Sequence, residues 1–222
     1  VTQGSTGGAA GRFPTVRRVG PRDVRRLSAA LATAFIDDPV SAYLFAAERH
    51  RRRRLERYFR FQLRSVFLPM GEAYATEGLR AGALWIPPRQ YRPPTLAEAV
   101  SQLPIALVLG SGLGRGVRLV ELLESRHPRI PHYYLGTIGT APELQGRGHG
   151  SALLRTVLGR CDAEGIPAYL ESSKESNNSF YSRHGFAVVD TVALEGTEIS
   201  LWLMWREPLP PGTREHDRTG LP

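Results

Sequence analysis

The segment Gln145-Gly146-Arg147-Gly148-His149-Gly150 alternates three glycines between an apolar run, Tyr133 to Gly139, and a stretch whose Leu153, Leu154, Val157 and Leu158 recur at helical spacing. Glycine permits backbone angles closed to other residues and clears side chains from the mouth of the next helix. The amides of a helix's first turn lack intrahelical acceptors and carry about half a positive charge. A pyrophosphate would satisfy both, with Arg147 as an added cationic donor. Ser151 stands where the third glycine of G-x-G-x-x-G would fall, and no Gly-Lys-Ser/Thr completes a Walker loop, which argues against dinucleotide folds and P-loop enzymes. Read in isolation, the trio serves equally well as a tight strand-to-helix turn.

The elements around this turn follow from periodicity and breakers. Thr15 to Val19 alternates as a strand, Gly20-Pro21 stops it, and Val24, Leu27, Leu31 and Phe35 mark a helix. Leu55, Tyr58, Phe59, Leu63, Val66 and Phe67 mark a second helix, begun by the arginines at 51 to 54 and ended by Pro69 and Gly71. Gly71 to Thr76 and Leu79 to Ile86 read as a hairpin turning at Glu77-Gly78. Thr95 to Leu109 and Val117 to Ser125 read as helices joined by the glycine-rich Gly110 to Gly116. From Tyr133 the order is strand, helix (148 to 164), strand (166 to 171), helix (177 to 184) and two strands (186 to 194, 198 to 205). A βαβ unit needs parallel strands and hairpins need antiparallel ones. The expectation is an α/β (α+β) chain with one mixed, mostly antiparallel sheet flanked by helices.

At 222 residues the chain is long enough for one packed domain, placed at 14–208 between tails at 1–13 and 209–222 rich in Gly, Pro, Thr and charge. The single Cys161 excludes an intrachain disulfide and a cysteine zinc site, and no metal is expected. The longest apolar run, Leu103 to Leu109, contains Pro104 and falls short of the roughly 20 residues that span a bilayer. The start of the sequence has no basic segment followed by an apolar one, so a cytoplasmic protein without membrane association is expected. A net charge of +8 and a pI near 10.2 suit either nucleic acid or a small anionic ligand.

Gln145-x-x-Gly148-x-Gly150, coming after Tyr134-Leu135-Gly136-Thr137-Ile138-Gly139, resembles the acetyl-CoA signature Q/R-x-x-G-x-G/A of the GCN5-related N-acetyltransferases (GNAT). Asn177-Asn178-Ser179-Phe180-Tyr181, running on to Gly185-Phe186, resembles the family's second motif, in which an Asn precedes a helix carrying a Tyr. Together the two cover roughly Tyr133 to Arg206, about a third of the chain. Ala34-Phe35 with Asp38-Pro39, the run Pro167 to Ser173, and Phe180-Tyr181 are similar in layout to puromycin N-acetyltransferases.

The resemblance implies a GNAT fold and the transfer of an acetyl group from acetyl-CoA to a primary amine of a small molecule within a ternary complex, with CoA as product. It further implies that the strand end Ile138, Gly139 and Thr140 pairs with the pantetheine arm, and that Gln145, Gly146, Arg147, Gly148, His149, Gly150 and Ser151 hold the pyrophosphate. Asn177 would cap its helix and reach the cofactor, and Tyr181 would protonate the departing thiolate. Glu171 is the candidate to orient or deprotonate the amine, with a salt bridge as the competing reading. Asp38, Tyr43, Trp85 and His132 are weaker candidates for the acceptor pocket, and ordinary packing is the favoured reading of each.

Three other readings compete. A CoA-binding sensor without catalysis would keep the turn but has no use for Tyr181. A protein or peptide N-acetyltransferase would differ only in its pocket loops. A nucleic-acid module is suggested by Arg49 to Arg54, yet a solvated helix face explains those arginines, so no nucleic-acid partner is expected. A homodimer is the default for a chain of this kind.

Overall fold

The computed structural model describes residues 14–88 and 103–210. The expected tail at 1–13, the helical start at 95–102 and most of the expected tail at 209–222 lie outside the described residues. Seven strands form one sheet: β1 (Val16–Arg18), β2 (Ala73–Thr76), β3 (Ala81–Ile86), β4 (Tyr133–Thr140), β5 (Ala168–Ser172), β6 (Ala187–Ala193) and β7 (Ser200–Arg206). Their spatial order is β1-β2-β3-β4-β5-β7-β6, antiparallel throughout except for the parallel pair β4 and β5. The mixed, mostly antiparallel sheet is as expected.

The helices are α1 (Val24–Ala34), α2 (Pro39–Leu44), α3 (Glu48–Gln62), α4 (Leu103–Leu109), α5 (Leu113–Arg126), α6 (His149–Glu164) and α7 (Asn178–Ser182). A π-helical turn, Leu63–Phe67, and a last turn, Leu68–Met70, prolong α3. Pro69 therefore does not end this helix: it sits in the first turn of the final segment, where its missing N–H costs little, and Gly71 at φ 70° makes the stop. The expected glycine link Gly110 to Gly116 is shorter than read, because Gly114 and Gly116 already belong to α5.

Strand alternation divides the interior into two cores. On one face Leu84, Tyr169, Leu201 and Leu203 pack with Leu27 and Leu31 of α1 and Phe59 of α3. On the other, Trp85, Leu135, Leu170 and Met204 pack with Leu153, Leu154 and Val157 of α6. Burying each such side chain contributes about 1.5–3 kcal/mol. Leu209, just past the expected boundary at 208, is buried, and its N–H donates to Asp162 Oδ1 at 2.7 Å.

The pairing of β4 is irregular on both of its sides. A bulge against β3 falls between Leu84 and Trp85, so Leu84 faces Thr137 while Trp85 faces Leu135, and Gly136 is skipped. The pairing of β4 with β5 covers only Tyr133, Leu135 and the residue between them, against Ala168 to Leu170. Beyond Leu135 the two parallel strands part.

Candidate active site

The gap between the diverging strands is the mouth of a groove of about 660 Å³. Gly136 to Thr140 of β4 form one wall, Leu170 and Glu171 of β5 another, and the glycine turn closes one end. Because β4 has no β5 partner past Leu135, the side of its backbone that faces the groove can take an added extended chain.

Each part of the turn has a local cause. Gln145 Nε2 donates to the Thr140 carbonyl at 3.3 Å and ties the strand end to the turn. Gly146 and Gly148 sit at φ 72° and 82°, a region that costs a side-chain-bearing residue about 1–2 kcal/mol. Gly148 is the N-cap of α6, and the first helical hydrogen bond there runs from the Ala152 N–H to the Gly148 carbonyl at 2.9 Å. The amides of His149, Gly150 and Ser151 thus precede the helix's first donor and have no intrahelical acceptor, and all three residues border the groove. Ser151 Oγ lies 3.0 Å from His184 Nε2, joining the start of α6 to the segment just past α7. His149 Nδ1 lies 3.0 Å from the Thr76 hydroxyl; burial, and then the Arg147 charge, hold its imidazole below the usual value.

Tyr181 is buried on α7 yet borders the groove, beside Phe180 with ring centroids 5.2 Å apart. Burial, and then the negative charge of Asp38, push its phenol upward. Asp38 is the N-cap of α2: Oδ1 accepts from the Ser41 N–H at 3.0 Å and Pro39 takes the first helical position. Its other oxygen accepts from the Ser173 hydroxyl, which links α2 to the end of β5.

Glu171 faces the α1 and α3 side of the sheet, as Tyr169 does two residues before it. Its side chain is 7% exposed, and Oε1 lies 3.8 Å from Nδ1 of a buried His127 and accepts no hydrogen bond. His127 Nε2 lies 3.1 Å from His132 Nε2, and His132 Nδ1 donates to the Ile130 carbonyl at 2.7 Å. Burial, opposed by that carbonyl, holds His132 below the usual value. A neutral His132 that donates from Nδ1 must accept at Nε2, so His127 donates from Nε2 and its Nδ1 is the nitrogen that faces Glu171.

Of the residues singled out from sequence, Ile138, Gly139, Thr140, Gln145, Gly146, Gly148, His149, Gly150, Ser151 and Asn177 border the groove, together with Tyr181, Glu171 and Asp38. Arg147 does not: its side chain is exposed and outside the lining. Asn177 makes no capping hydrogen bond, because a 3-10 turn, Glu175–Asn177, precedes α7 and holds it at helical angles. Three acceptor-pocket candidates lie elsewhere. Trp85 is fully buried in the α6 core with its indole N–H unpaired. Tyr43 packs under the Arg115 guanidinium, 5.8 Å from its ring centre. His132 lies behind His127, away from the groove.

Sequence reading missed His127, Ser173, Lys174 and Arg183, the last three of which border the groove. The one available signal for His127 was the run His127-Pro128-Arg129-Ile130-Pro131-His132, two histidines bracketing two prolines just before β4. The arginines of α3 have structural uses: Arg51 Nε donates to the Phe45 carbonyl at 3.0 Å, and Arg52 pairs with Glu56. Among the described residues no helix is long and apolar enough to cross a membrane, and no group of three His, Cys, Asp or Glu is placed to hold a metal.

The model of the acetyltransferase (GNAT) family matches residues 108–186. An uncharacterized N-acetyltransferase of Schizosaccharomyces pombe is 29% identical over 210 residues, covering 86% of this chain and 83% of the relative. The solved structure of a histone acetyltransferase HPA2 and related acetyltransferase from Corynebacterium glutamicum is similar with a TM-score of 0.64 at 20% identity, covering 91% of this chain and all of that one. A Drosophila melanogaster polyamine N-acetyltransferase is similar with a TM-score of 0.57 at 16% identity, covering 87% and 99%. The chain has the GNAT fold, and the stretch at 108–186 is similar to the GNAT family model.

Proposed function

We propose that the chain transfers the acetyl group of acetyl-CoA to a primary amine of a small molecule by direct attack within a ternary complex. The observation that carries this reading is the meeting, in one groove, of an unpaired β4 edge, the first-turn amides of α6, and Tyr181. A ligand with a diphosphate at one end and an amide-bearing arm at the other fits that arrangement, and Lys174 and Arg183 offer further cationic contacts along its border. Acetyl-CoA, when bound, supplies the acetyl group as a thioester.

This chain's residues supply the rest. The Glu171 carboxylate accepts a proton from the acceptor's ammonium, leaving a lone pair for attack. A carbon–nitrogen bond forms at the thioester carbonyl as the carbon–sulfur bond breaks, and the Tyr181 hydroxyl gives its proton to the departing sulfur. Burial and Asp38 keep that hydroxyl protonated until it is needed. The second proton of the attacking nitrogen returns to Tyr181, and the first passes from Glu171 to solvent, with His127 beside it as a relay. The balance is ammonium plus thioester to amide, thiol and one proton.

The neighbour from Drosophila forms N-acetylagmatine, one case of a small amine acetylated on this fold. The resemblance in sequence layout to puromycin N-acetyltransferases makes puromycin a second amine to offer. The test is release of free thiol from acetyl-CoA on adding such amines. Amine-dependent release is the expected result; tight CoA binding with no release for any amine would favour a sensor.

A further inference from the structure

A second cavity, of about 200 Å³, opens from the same stretch of β4 as the cofactor groove. Gly136, Thr137, Asp38, Glu171 and Ser173 border both, so the two spaces meet where transfer would occur. Away from that mouth the wall is apolar: Phe45, Tyr58, Leu55, Leu119, Leu123 and Leu201. Phe45 and Tyr58 meet edge to face at 6.2 Å, and Tyr58 and Phe59 do so at 5.3 Å, so ring edges and faces line the interior. The phenol of Tyr58 is held by the Gln62 side chain, which donates to it at 3.3 Å. Among the described lining residues Asp38 and Glu171 are the only charged side chains, and both stand at the mouth.

This distribution of charge selects a ligand. An ammonium at the mouth meets two carboxylates, and Glu171 Oε1 is a buried acceptor with no hydrogen-bond donor. A second cation at the inner end would stand against Phe45 and Leu123 with no counter-charge among the described lining residues, which low-dielectric surroundings penalise heavily. An aryl or branched alkyl group there exchanges water for ring and methyl contacts. The size also discriminates: an apolar cavity of about 150 Å³ holds a benzene, so this one takes a single ring on a short chain.

We infer that the acceptor is a primary monoamine with one aryl or branched alkyl group, its ammonium at Asp38 and Glu171 and its apolar end among Phe45, Tyr58 and Leu123. This rests on the acetyltransferase reading and narrows it, setting the acceptor apart from the diamine and guanidinoalkylamine class to which agmatine belongs.

The experiment compares thiol release from acetyl-CoA with phenethylamine, isoamylamine, putrescine, agmatine and a short peptide. The inference predicts kcat/KM for the two apolar monoamines at least about a hundredfold above the others. Putrescine, agmatine or the peptide used as well or better overturns it and leaves the acetyltransferase reading standing. Thiol release with none of the five overturns the inference, and the wider amine screen, puromycin included, then decides the acetyltransferase reading. Leu123→Glu, at a half-buried wall position, places a carboxylate at the inner end. Calorimetric titration with CoA checks that the neighbouring groove is intact in the variant. Its ratio of kcat/KM for phenethylamine over agmatine should fall at least about tenfold; an unchanged ratio overturns the placement.

Discussion

A Cβ added to Gly150 would stand 2.9 Å from Cζ of Phe180, so the aromatic ring of α7 lies directly across the first turn of α6. The glycine therefore does more than bare an amide: it lets the helix carrying Tyr181 close over the helix whose amides end the groove. Gly150→Ala should displace the Phe180 ring and raise the KM for acetyl-CoA about tenfold, and Gly150→Ala combined with Phe180→Leu should recover most of that loss. Steady-state kinetics of the three proteins check it.

Tyr181→Phe removes one hydroxyl from a buried ring and leaves its packing with Phe180 and Phe186 in place. If the hydroxyl protonates the leaving sulfur, kcat should fall about a hundredfold with less than about a twofold change in the KM for acetyl-CoA. Because burial and Asp38 push the phenol upward, the wild-type rate should show no loss from Tyr181 ionisation up to about pH 10.

Glu171→Gln keeps the shape of the side chain and removes the proton acceptor. The kcat/KM for the amine should fall about a hundredfold at pH 7, and the deficit should shrink toward pH 10, where an ordinary alkylamine begins to deprotonate unaided. His127→Gln should lower the same parameter about tenfold, with acetyl-CoA affinity by calorimetry unchanged. A deficit that stays constant with pH would contradict the base role of Glu171.

His132 and His149 are both held below the usual histidine value of 6.5, each chiefly by burial. As pH falls through 6.5 the unfolded chain takes up these protons before the folded one does. The stability tied to the two groups is therefore complete above that value and is lost as pH falls toward the lower folded value. Melting temperatures measured from pH 8 to pH 5 should decline below about 6.5, and His132→Gln should decline less steeply.

The parts of this site legible in the sequence are those fixed by short-range rules. A glycine trio between an apolar strand and an amphipathic helix determines the turn and the free amides whatever surrounds them, and Asn178–Ser182 follows as a short helix bringing Tyr181 to the groove. The groove between β4 and β5 follows from one parallel pair within an otherwise antiparallel sheet. The residues that stayed hidden depend on distant partners. The packing of Trp85, the favoured reading of it, could not be assigned to one face from sequence because β3 is buried on both faces, so its run Ala81 to Trp85 has no polar alternation. The Asp38 to Ser173 contact spans 135 residues, and that between His127 and Glu171 joins a loop to a strand that is not its neighbour in sequence. Asn177 misled because a 3-10 turn, which no sequence pattern announced, takes the place of a capped start.

The most direct test of the account is a crystal structure of this protein grown with CoA. The account predicts the diphosphate within about 2.7–3.2 Å of backbone N–H groups between Gly146 and Ser151, the pantetheine arm along the open edge of Ile138 to Thr140, and the sulfur beside the Tyr181 hydroxyl. CoA held anywhere else on the molecule, or a groove empty at saturating CoA, would contradict it.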